Sequence, residues 1–360
     1  ALRLPRPLIR SSILTAVTAA LLFLTAAGSS AGAAPTPPCY RYRLAVRPKW
    51  ICSAVWVPSL RKILVSDSAT NKLLLYSPRG EAGPLPDPRL AAAATLPTLL
   101  ATSGKGFFLL LVSGEILVLD DHLNLTGRHH AWSAGPSRRG QVNWLAQLAT
   151  TGESIVGYGS LHSFSLSSLK GFLRMPLAGG RAKMLLPYSQ DSYYTLGHPY
   201  LTSIGPSAYA LLIGDRQAAL MRFTPGHPPV RMRAFPPSRQ VPRITNPMTG
   251  LYSTSGNLYI LTRRPGPRAT LWELWKIDPQ RDRLLGHSTL PTTAHHLTVV
   301  PSEQEWLLFE KDGIDIIGQQ TIPTLLTVSY RALESTLASG DLGTTPQPSL
   351  TCRNEGSTLP

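Results

Sequence analysis

The sequence is poor in charge and in cysteine, and it lacks several common catalytic and assembly motifs. Charged residues are only 15% of the 360 residues, a low share for long solvated helices. The three cysteines are not spaced for a thiolate zinc site. Beyond residue 33 there is no Gly-x-Ser-x-Gly nucleophile elbow, and no phosphate-cradling glycine loop or heptad repeat occurs. Serine-hydrolase, nucleotide-binding and coiled-coil motifs are therefore not indicated.

Turn-forming residues are abundant instead. The chain contains 33 Pro and 29 Gly, and 43% of its residues are hydrophobic. Such a composition is typical of many short strands joined by turns, and apolar residues do not recur at helical spacing. The sequence therefore predicts an all-β protein.

The N-terminal segment has the composition of a secretory signal peptide. Three arginines lie within the first ten residues, an apolar run follows from Ile13 to Ala27, and Ala31-Gly32-Ala33 is a small-x-small cleavage site. We predict a signal peptide over residues 1–33 and a secreted or periplasmic location. A retained membrane anchor is the alternative, although the run falls short of the roughly 20 apolar residues that span a bilayer. No later run is apolar enough to cross a membrane.

A strand pattern recurs with a period of about 45 to 50 residues. Its landmark is a short apolar strand with six copies, which begin at Ile63, Phe107, Ser154, Ala208, Leu258 and Trp306. Most copies are followed by a second strand and a turn of Gly, Pro or Asp, which supplies backbone angles that strands cannot adopt. Each unit has room for four antiparallel strands, and six such units predict a six-bladed β-propeller of four-stranded blades.

Composition sets the expected domain boundaries. Residues 34–48 form a Pro-rich linker in which Tyr40–Arg47 partly alternates, so this stretch is a candidate strand to close the ring beside Leu325–Tyr330. The propeller is predicted over residues 49–331. Residues 332–360, rich in Thr, Pro and Ser, are expected to form a mostly disordered tail.

Two of the cysteines lie at the ends of the predicted propeller. Cys39 and Cys352 are outside the strand repeats, whereas Cys52 lies within the first strand. In an exported chain this placement favours a Cys39–Cys352 disulfide and leaves Cys52 as a thiol. Closing so long a loop contributes about 4 to 5 kcal/mol in the chain-entropy model, before any strain is subtracted.

The repeated units resemble NHL-type repeats and the blades of the regucalcin and gluconolactonase group. The resemblance covers about Trp50 to Tyr330 and depends on a loose strand-turn-strand pattern, as in Ile63–Asp67 followed by Leu73–Gly80. It implies a six-bladed propeller around a central channel. Enzymes of this group hold a divalent metal at the channel mouth, with oxygen ligands at the starts of the innermost strands.

This sequence departs from the group at the positions that match those ligands. The glutamate of the opening pattern corresponds to Cys52, the asparagine of a Pro-Asn-Gly to Tyr200, and the aspartate of a Pro-Asp-Gly to Met248. A thiol, a phenol and a thioether do not suit calcium or magnesium. We therefore expect no metal, no cofactor and no hydrolysis by the mechanism of the group.

The starts of the inner strands define a candidate ligand site at the channel mouth. Its residues are Trp50, Cys52, Thr98, Asn143, Trp144, Tyr200, Met248 and His296. This mildly polar set suits a small organic ligand or sugar, and it equally suits ordinary channel packing. Adjacent histidines on a strand face opposite sides, so His129-His130 and His295-His296 indicate surface or structural roles rather than metal sites. Asp67 is expected to brace its turn through backbone amides. No catalytic residue is predicted.

The charge balance leaves the function broad. The chain has 35 basic and 20 acidic residues, a surplus that favours anionic partners such as acidic glycans or lipid headgroups. The basic residues are scattered, so nucleic acid is not expected. We predict an exported, non-catalytic propeller that binds a protein, a glycan or a small ligand. The alternatives are a diverged lactonase- or esterase-type hydrolase and a quinone redox propeller, which lacks the acidic residues that its calcium site usually needs.

Overall fold

A computed structural model describes much of the chain between Cys39 and Glu355, all of it within the unit Pro38–Pro360. The described residues are 39–67, 69–93, 97–103, 106–111, 115–130, 142–151, 154–162, 168–176, 182–188, 199–213, 218–233, 248–265, 270–311, 322–337 and 350–355. The predicted signal peptide, residues 1–33, lies outside them, so it stays a prediction.

Six sheets form the fold, as the repeat predicts. Blades 1 to 5 each contain four consecutive antiparallel strands. The strands of blades 1 and 2 are β2 (Ile51–Val57), β3 (Lys62–Asp67), β4 (Lys72–Tyr76), β5 (Ala82–Gly83), β6 (Pro97–Ser103), β7 (Gly106–Leu111), β8 (Glu115–Leu119) and β9 (Leu125–His130). Those of blade 3 are β10 (Val142–Thr151), β11 (Ser154–His162), β12 (Ser168–Pro176) and β13 (Lys183–Pro187). Those of blades 4 and 5 are β14 (Tyr200–Ile204), β15 (Ser207–Ile213), β16 (Ala218–Phe223), β17 (Val230–Arg231), β18 (Met248–Thr254), β19 (Asn257–Pro265), β20 (Thr270–Asp278) and β21 (Arg283–Thr289).

Blade 6 combines strands from both ends of the described chain. Its strands are β22 (His296–Pro301), β23 (Glu305–Lys311), β24 (Thr324–Ser329), β1 (Cys39–Arg43) and β25 (Arg353–Glu355). Strand β1 pairs antiparallel with β24, with Cys39 opposite Val328, which is the pairing that the alternation in Tyr40–Arg47 predicts. The strand ends at Arg43, however, because Leu44 turns into the core and is 1% exposed.

A fifth strand and a disulfide fasten this blade. Strand β25 pairs in parallel with β1, with Tyr40 opposite Arg353. This strand belongs to residues 332–360, which were expected to be mostly disordered. Cys39 and Cys352 form a disulfide, so the predicted pairing is confirmed. Residues 338–349 and 356–360 of that segment lie outside the description, and its domain boundary stays a prediction.

The first strand of each blade contacts the first strands of both neighbouring blades, including β2 against β22. These six inner strands therefore close a ring around a central channel. Six hydrophobic clusters lie between successive blades, one at each junction. In β3, for example, Ile63 and Val65 pack toward blade 6 while Leu64 packs toward blade 2. A middle strand covered on both faces needs consecutive apolar residues, which explains the apolar runs that mark the repeat.

The described helices are short. A 3₁₀ turn (Pro58–Leu60) follows β2, helix α1 (Pro88–Ala93) lies between blades 1 and 2 along the chain, and helix α2 (Tyr330–Ser335) follows β24. Helix α2 is fixed to blade 5 because Glu334 accepts hydrogen bonds from Tyr259 and Lys276. Within the part of the chain that the structure covers, no helix is long and apolar enough to span a membrane.

Candidate functional site

The channel has two chemically different ends. We call the end at which the inner strands begin the start end, and the end at which they turn into the second strands the hairpin end. The last residues of five inner strands meet around one cavity at the hairpin end. The site predicted from the sequence lies at the start end.

At the start end, a buried carboxylate fixes the beginning of β2. Asp67 is 1% exposed and accepts hydrogen bonds from the backbone amides of Lys49, Trp50 and Ala69 at 2.9–3.2 Å and from the Thr70 hydroxyl at 2.8 Å. The expectation that Asp67 braces its turn is confirmed. These bonds satisfy an ionised carboxylate that would otherwise be costly to bury.

The same end brings two predicted site residues close to one lysine. Lys311 is buried, its ammonium nitrogen lies 5.2 Å from the centre of the Trp50 ring, and its register partner on β22 is His296. Next to it on β23, Glu310 accepts hydrogen bonds from Arg41 at 2.8 and 3.1 Å and from Thr324 at 3.2 Å. Lys311 of blade 6 therefore contacts Trp50, just before the first strand of blade 1, while the Glu310 carboxylate joins strands within blade 6.

Four inner strands contain a β-bulge at their start, which the sequence does not reveal. The register between first and second strands shifts at Cys52, Thr98, Asn143 and Thr249, each the extra residue of its strand. Three of these were predicted as site residues, while in blade 5 the equivalent position falls on Thr249 beside the predicted Met248. Bulges redirect side chains and are common beside binding sites.

The side chains of Thr98, Asn143, Trp144 and Met248 lie outside the description. Cys52 is exposed and is not part of the disulfide. Tyr200 is half-buried, and burial raises its pKa to about 12. The role of the predicted set as a ligand site thus stays a prediction.

The described donors do not fit the metal of the gluconolactonase group. A hard divalent cation needs several oxygen ligands, preferably carboxylates. Cys52 offers sulfur, and the phenol of Tyr200 stays neutral because its pKa is about 12. Cys52 and Tyr200 therefore do not supply the oxygen ligands that such a cation needs.

An acidic turn lies on the outer part of blade 2. Ligand atoms of Asp120, Asp121 and His122 lie within 4.8 Å of one another, and all three side chains are at least partly exposed. Asp120 accepts hydrogen bonds from the His122 and Asn124 amides at 2.9 and 2.8 Å, and from the Asn124 side chain at 2.8 Å. This arrangement explains the cluster as a stabilised turn.

The cavity at the hairpin end has a volume of about 530 Å³. Its size is in the range of known small-molecule sites, roughly 300–1,000 Å³. Its lining includes apolar and aromatic residues such as Val55, Trp56 and Tyr252, hydroxyl residues such as Thr202 and Ser253, and the carboxylate of Glu303. None of the described lining residues is Lys, Arg or His.

Hydroxyl groups form a connected network around this cavity. Ser253 donates to the backbone carbonyl of Ser203 at 2.8 Å, and the Thr202 and Ser253 hydroxyl oxygens are also 2.8 Å apart. Ser253 has one hydrogen, which the carbonyl receives, so Thr202 is the donor in the second bond. Thr254 donates to the Ser302 carbonyl at 3.4 Å. Blades 4, 5 and 6 are therefore linked through neutral groups.

Tyr252 lines the cavity and folds back over Gly250. A Cβ atom at Gly250 would lie 2.4 Å from the Tyr252 hydroxyl oxygen, so this position needs glycine for space. Burial raises the pKa of Tyr252, and the nearby Tyr200 phenol raises it further. The phenol therefore stays neutral at physiological pH.

The hydroxyl network was not predicted, although the sequence contains a signal for it. Three inner strands have a leucine, one further residue and then two residues that are Ser or Thr, beginning at Leu100, Leu148 and Leu251, and blade 4 has the related Leu201-Thr202-Ser203. On an inner strand such residues reach the channel at the same level in each blade. The rim residue Glu303 gives no comparable signal, since an acidic residue in a turn is ordinary.

Comparisons with known proteins support the fold. No protein-family model matches the sequence, and no curated protein matches it either. Among solved structures, a candidate gluconolactonase has 11% identity and a TM-score of 0.51, covering 81% of this chain and 92% of that one. A gluconolactonase from Xanthomonas campestris has 15% identity and a TM-score of 0.49, covering 79% and 87%. A structure of the nidogen/laminin complex has 13% identity and a TM-score of 0.43, covering 66% and 80%. The resemblance to gluconolactonase-like propellers is confirmed, and at this identity it concerns the fold.

Proposed function

We propose that this chain is an exported, non-catalytic propeller that binds a small ligand in the cavity at the hairpin end. The observation that supports the proposal most directly is the cavity itself, which combines sufficient volume, aromatic surface and a network of hydroxyl groups. Few convergent polar groups in a mostly apolar pocket are what ligand sites require.

The cavity chemistry favours binding over catalysis. A hydrolytic site needs a nucleophile with a base, or two carboxylates, in mutual contact. Among the described lining residues Glu303 is exposed and is the single acid, and there is no histidine to act with it. The second candidate, a diverged lactonase-type hydrolase, is favoured by the fold similarity to a candidate gluconolactonase.

Export is part of the proposal. The Cys39–Cys352 disulfide is compatible with an oxidising compartment, because cytosolic proteins rarely keep structural disulfides. The arginine-rich, apolar start of the sequence gives independent support. The periplasm and the extracellular space both satisfy these observations.

The test is a ligand screen against wild type and a blocked variant. Glu303→Trp places a large side chain at the cavity rim, while Gln304→Trp, at an exposed neighbouring residue outside the lining, is the matched control. We expect compounds from a small-molecule library to raise the melting temperature of wild type and Gln304→Trp but not of Glu303→Trp. Ligands that bind all three proteins equally would place binding elsewhere.

Enzymatic activity is tested separately. Purified protein is incubated with sugar lactones and aryl esters, with and without added calcium, magnesium or zinc. The proposal expects no turnover above that of heat-denatured protein. Turnover that is lost in Cys52→Ser or Tyr200→Phe would overturn it and favour the hydrolase alternative at the start end.

A further inference from the structure

The hydrogen-bond directions at the cavity determine what chemistry it can recognise. The hydrogen of Ser253 goes to the Ser203 carbonyl, and the hydrogen of Thr202 then goes to Ser253. These two hydroxyls are therefore committed donors, and what they can still offer to a ligand is lone pairs.

The charged group at the cavity also favours a ligand that donates hydrogen bonds. Glu303 lies on the rim, and a carboxylate accepts hydrogen bonds and repels anions. No cationic side chain belongs to the described lining. This local chemistry is opposite to that of the whole chain, which has 35 basic and 20 acidic residues. The net charge of the chain therefore does not describe the local charge at this cavity.

The aromatic residues of the lining add an apolar attraction. Trp56 and Tyr252 both line the cavity and offer hydrocarbon surface against which the organic part of a ligand can pack. Tyr252 also remains uncharged, since burial raises its pKa.

We propose that the cavity binds a small organic ammonium compound, recognised by the lone pairs of Thr202 and Ser253, the Glu303 carboxylate and the apolar lining. This inference depends on the proposed ligand-binding function, and it specifies the ligand class. An ammonium group supplies several donors to a site that presents acceptors, whereas a carboxylate supplies none.

The experiment uses three probes with the same ring and different polar groups: cyclohexylammonium, cyclohexanol and cyclohexanecarboxylate. Binding to the full chain is measured by calorimetry. We expect the ammonium to bind about tenfold more tightly than the alcohol, because hydrogen bonds to charged groups are stronger, and we expect the carboxylate to bind most weakly.

Two variants, one of them with a matched control, identify the residues that recognise the ligand. Glu303→Gln should weaken the ammonium about threefold and leave the alcohol unchanged, since an exposed ion pair is worth little. Glu305→Gln, two residues further along at the start of β23 and outside the lining, should change neither. Thr202→Val should weaken both the ammonium and the alcohol by removing an acceptor.

The outcomes separate the ligand class from the function. If the carboxylate binds as tightly as the ammonium, and Glu303→Trp still abolishes its binding, the ligand class is wrong while the cavity remains a binding site. If library compounds bind in the cavity but no ammonium compound does, the ligand class is also wrong. If Glu303→Trp leaves the binding of every compound unchanged, both proposals fail.

Discussion

The start end and the hairpin end of the channel are built from the same six inner strands, yet they are stabilised by different chemistry. The start end depends on buried carboxylates, with Asp67 accepting four hydrogen bonds and Glu310 accepting three. The hairpin end depends on neutral hydroxyls that bond one another and backbone carbonyls. The two carboxylates at the start end are fully hydrogen-bonded, whereas Thr202 and Ser253 at the hairpin end keep lone pairs that can accept further hydrogen bonds.

This difference determines what the described groups at each end can offer to a ligand. A buried carboxylate is expensive unless it is fully hydrogen-bonded, so the groups around it are not available to a ligand. A hydroxyl network costs little to leave partly unsatisfied, because hydroxyls rotate and water can replace a ligand. The carboxylates described at the start end are therefore fully engaged, whereas the hydroxyls at the hairpin end can still accept hydrogen bonds from a ligand.

The largest expected effect comes from removing the carboxylate at the start end. Asp67→Ala leaves three backbone amides and the Thr70 hydroxyl without their acceptor, and we expect a loss of about 3 kcal/mol in the free energy of unfolding. Chemical denaturation measures it. Asp67→Asn keeps one acceptor oxygen and should lose about half as much. A loss below about 1 kcal/mol for the alanine variant would contradict the charged-brace interpretation.

A glycine substitution links the two ends. Gly250→Ala puts a Cβ atom 2.4 Å from the Tyr252 hydroxyl oxygen, so the ring must move, and we expect a loss of about 2 kcal/mol in stability. Ligand binding at the hairpin end should weaken as well, since Tyr252 lines the cavity. Gly127→Ala is the control, because its Cβ would make an ordinary 3.6 Å contact with Val118. Equal stabilities for the two variants would show that Tyr252 is free to move.

Asp87 extends the comparison to a carboxylate outside the channel. The Arg89 side chain and the Leu125 amide lower the pKa of Asp87 to about 2. The folded pKa is below the unfolded value, so its stabilising effect is present above about pH 4 and is lost as the pH falls toward 2. Asp87→Asn should therefore flatten the fall in stability between these pH values, which acid titration followed by circular dichroism checks. If stability falls as steeply with pH in Asp87→Asn as in wild type, other carboxylates cause the acid sensitivity.

The smallest effect is expected at the hairpin end. Thr202→Val removes one hydroxyl and keeps the shape of the side chain, so we expect about 1 kcal/mol less stability in denaturant unfolding. This loss in the free energy of unfolding is to be compared with the larger loss expected for Asp67→Ala. If the two variants lose equal stability, the two ends do not differ in the way that their chemistry indicates.

The sequence was informative wherever the signal repeats or is local. The apolar runs at Ile63 and Trp306 indicated the blades because a strand covered on both faces must be apolar throughout. Asp67 could be assigned to its turn because Ala69 and Thr70 are close to it in sequence, whereas its bonds to the Lys49 and Trp50 amides were not predicted. The Cys39–Cys352 bond followed from there being few alternatives.

Other features depend on distant partners and give no such signal. The bulge at Cys52 depends on how β2 pairs with β3, and β25 depends on a parallel partner that is more than 300 residues away. The acceptor character of Thr202 arises only because Ser253 of the next blade donates its hydrogen elsewhere. Sequence reasoning therefore favoured the start end as the site, while the cavity is formed by residues that only the ring brings together.

The covalent link in blade 6 has a mechanical consequence. Cys39 and Cys352 are 313 positions apart and enclose the whole ring, so tension applied to the two ends of the oxidised chain passes directly through the sulfur–sulfur bond. The strands between the two cysteines experience no load, and β25, which follows Cys352, is the strand that tension can pull from its partner β1. Pulling on the reduced chain would also peel β1 from β24 and then load the rest of the ring.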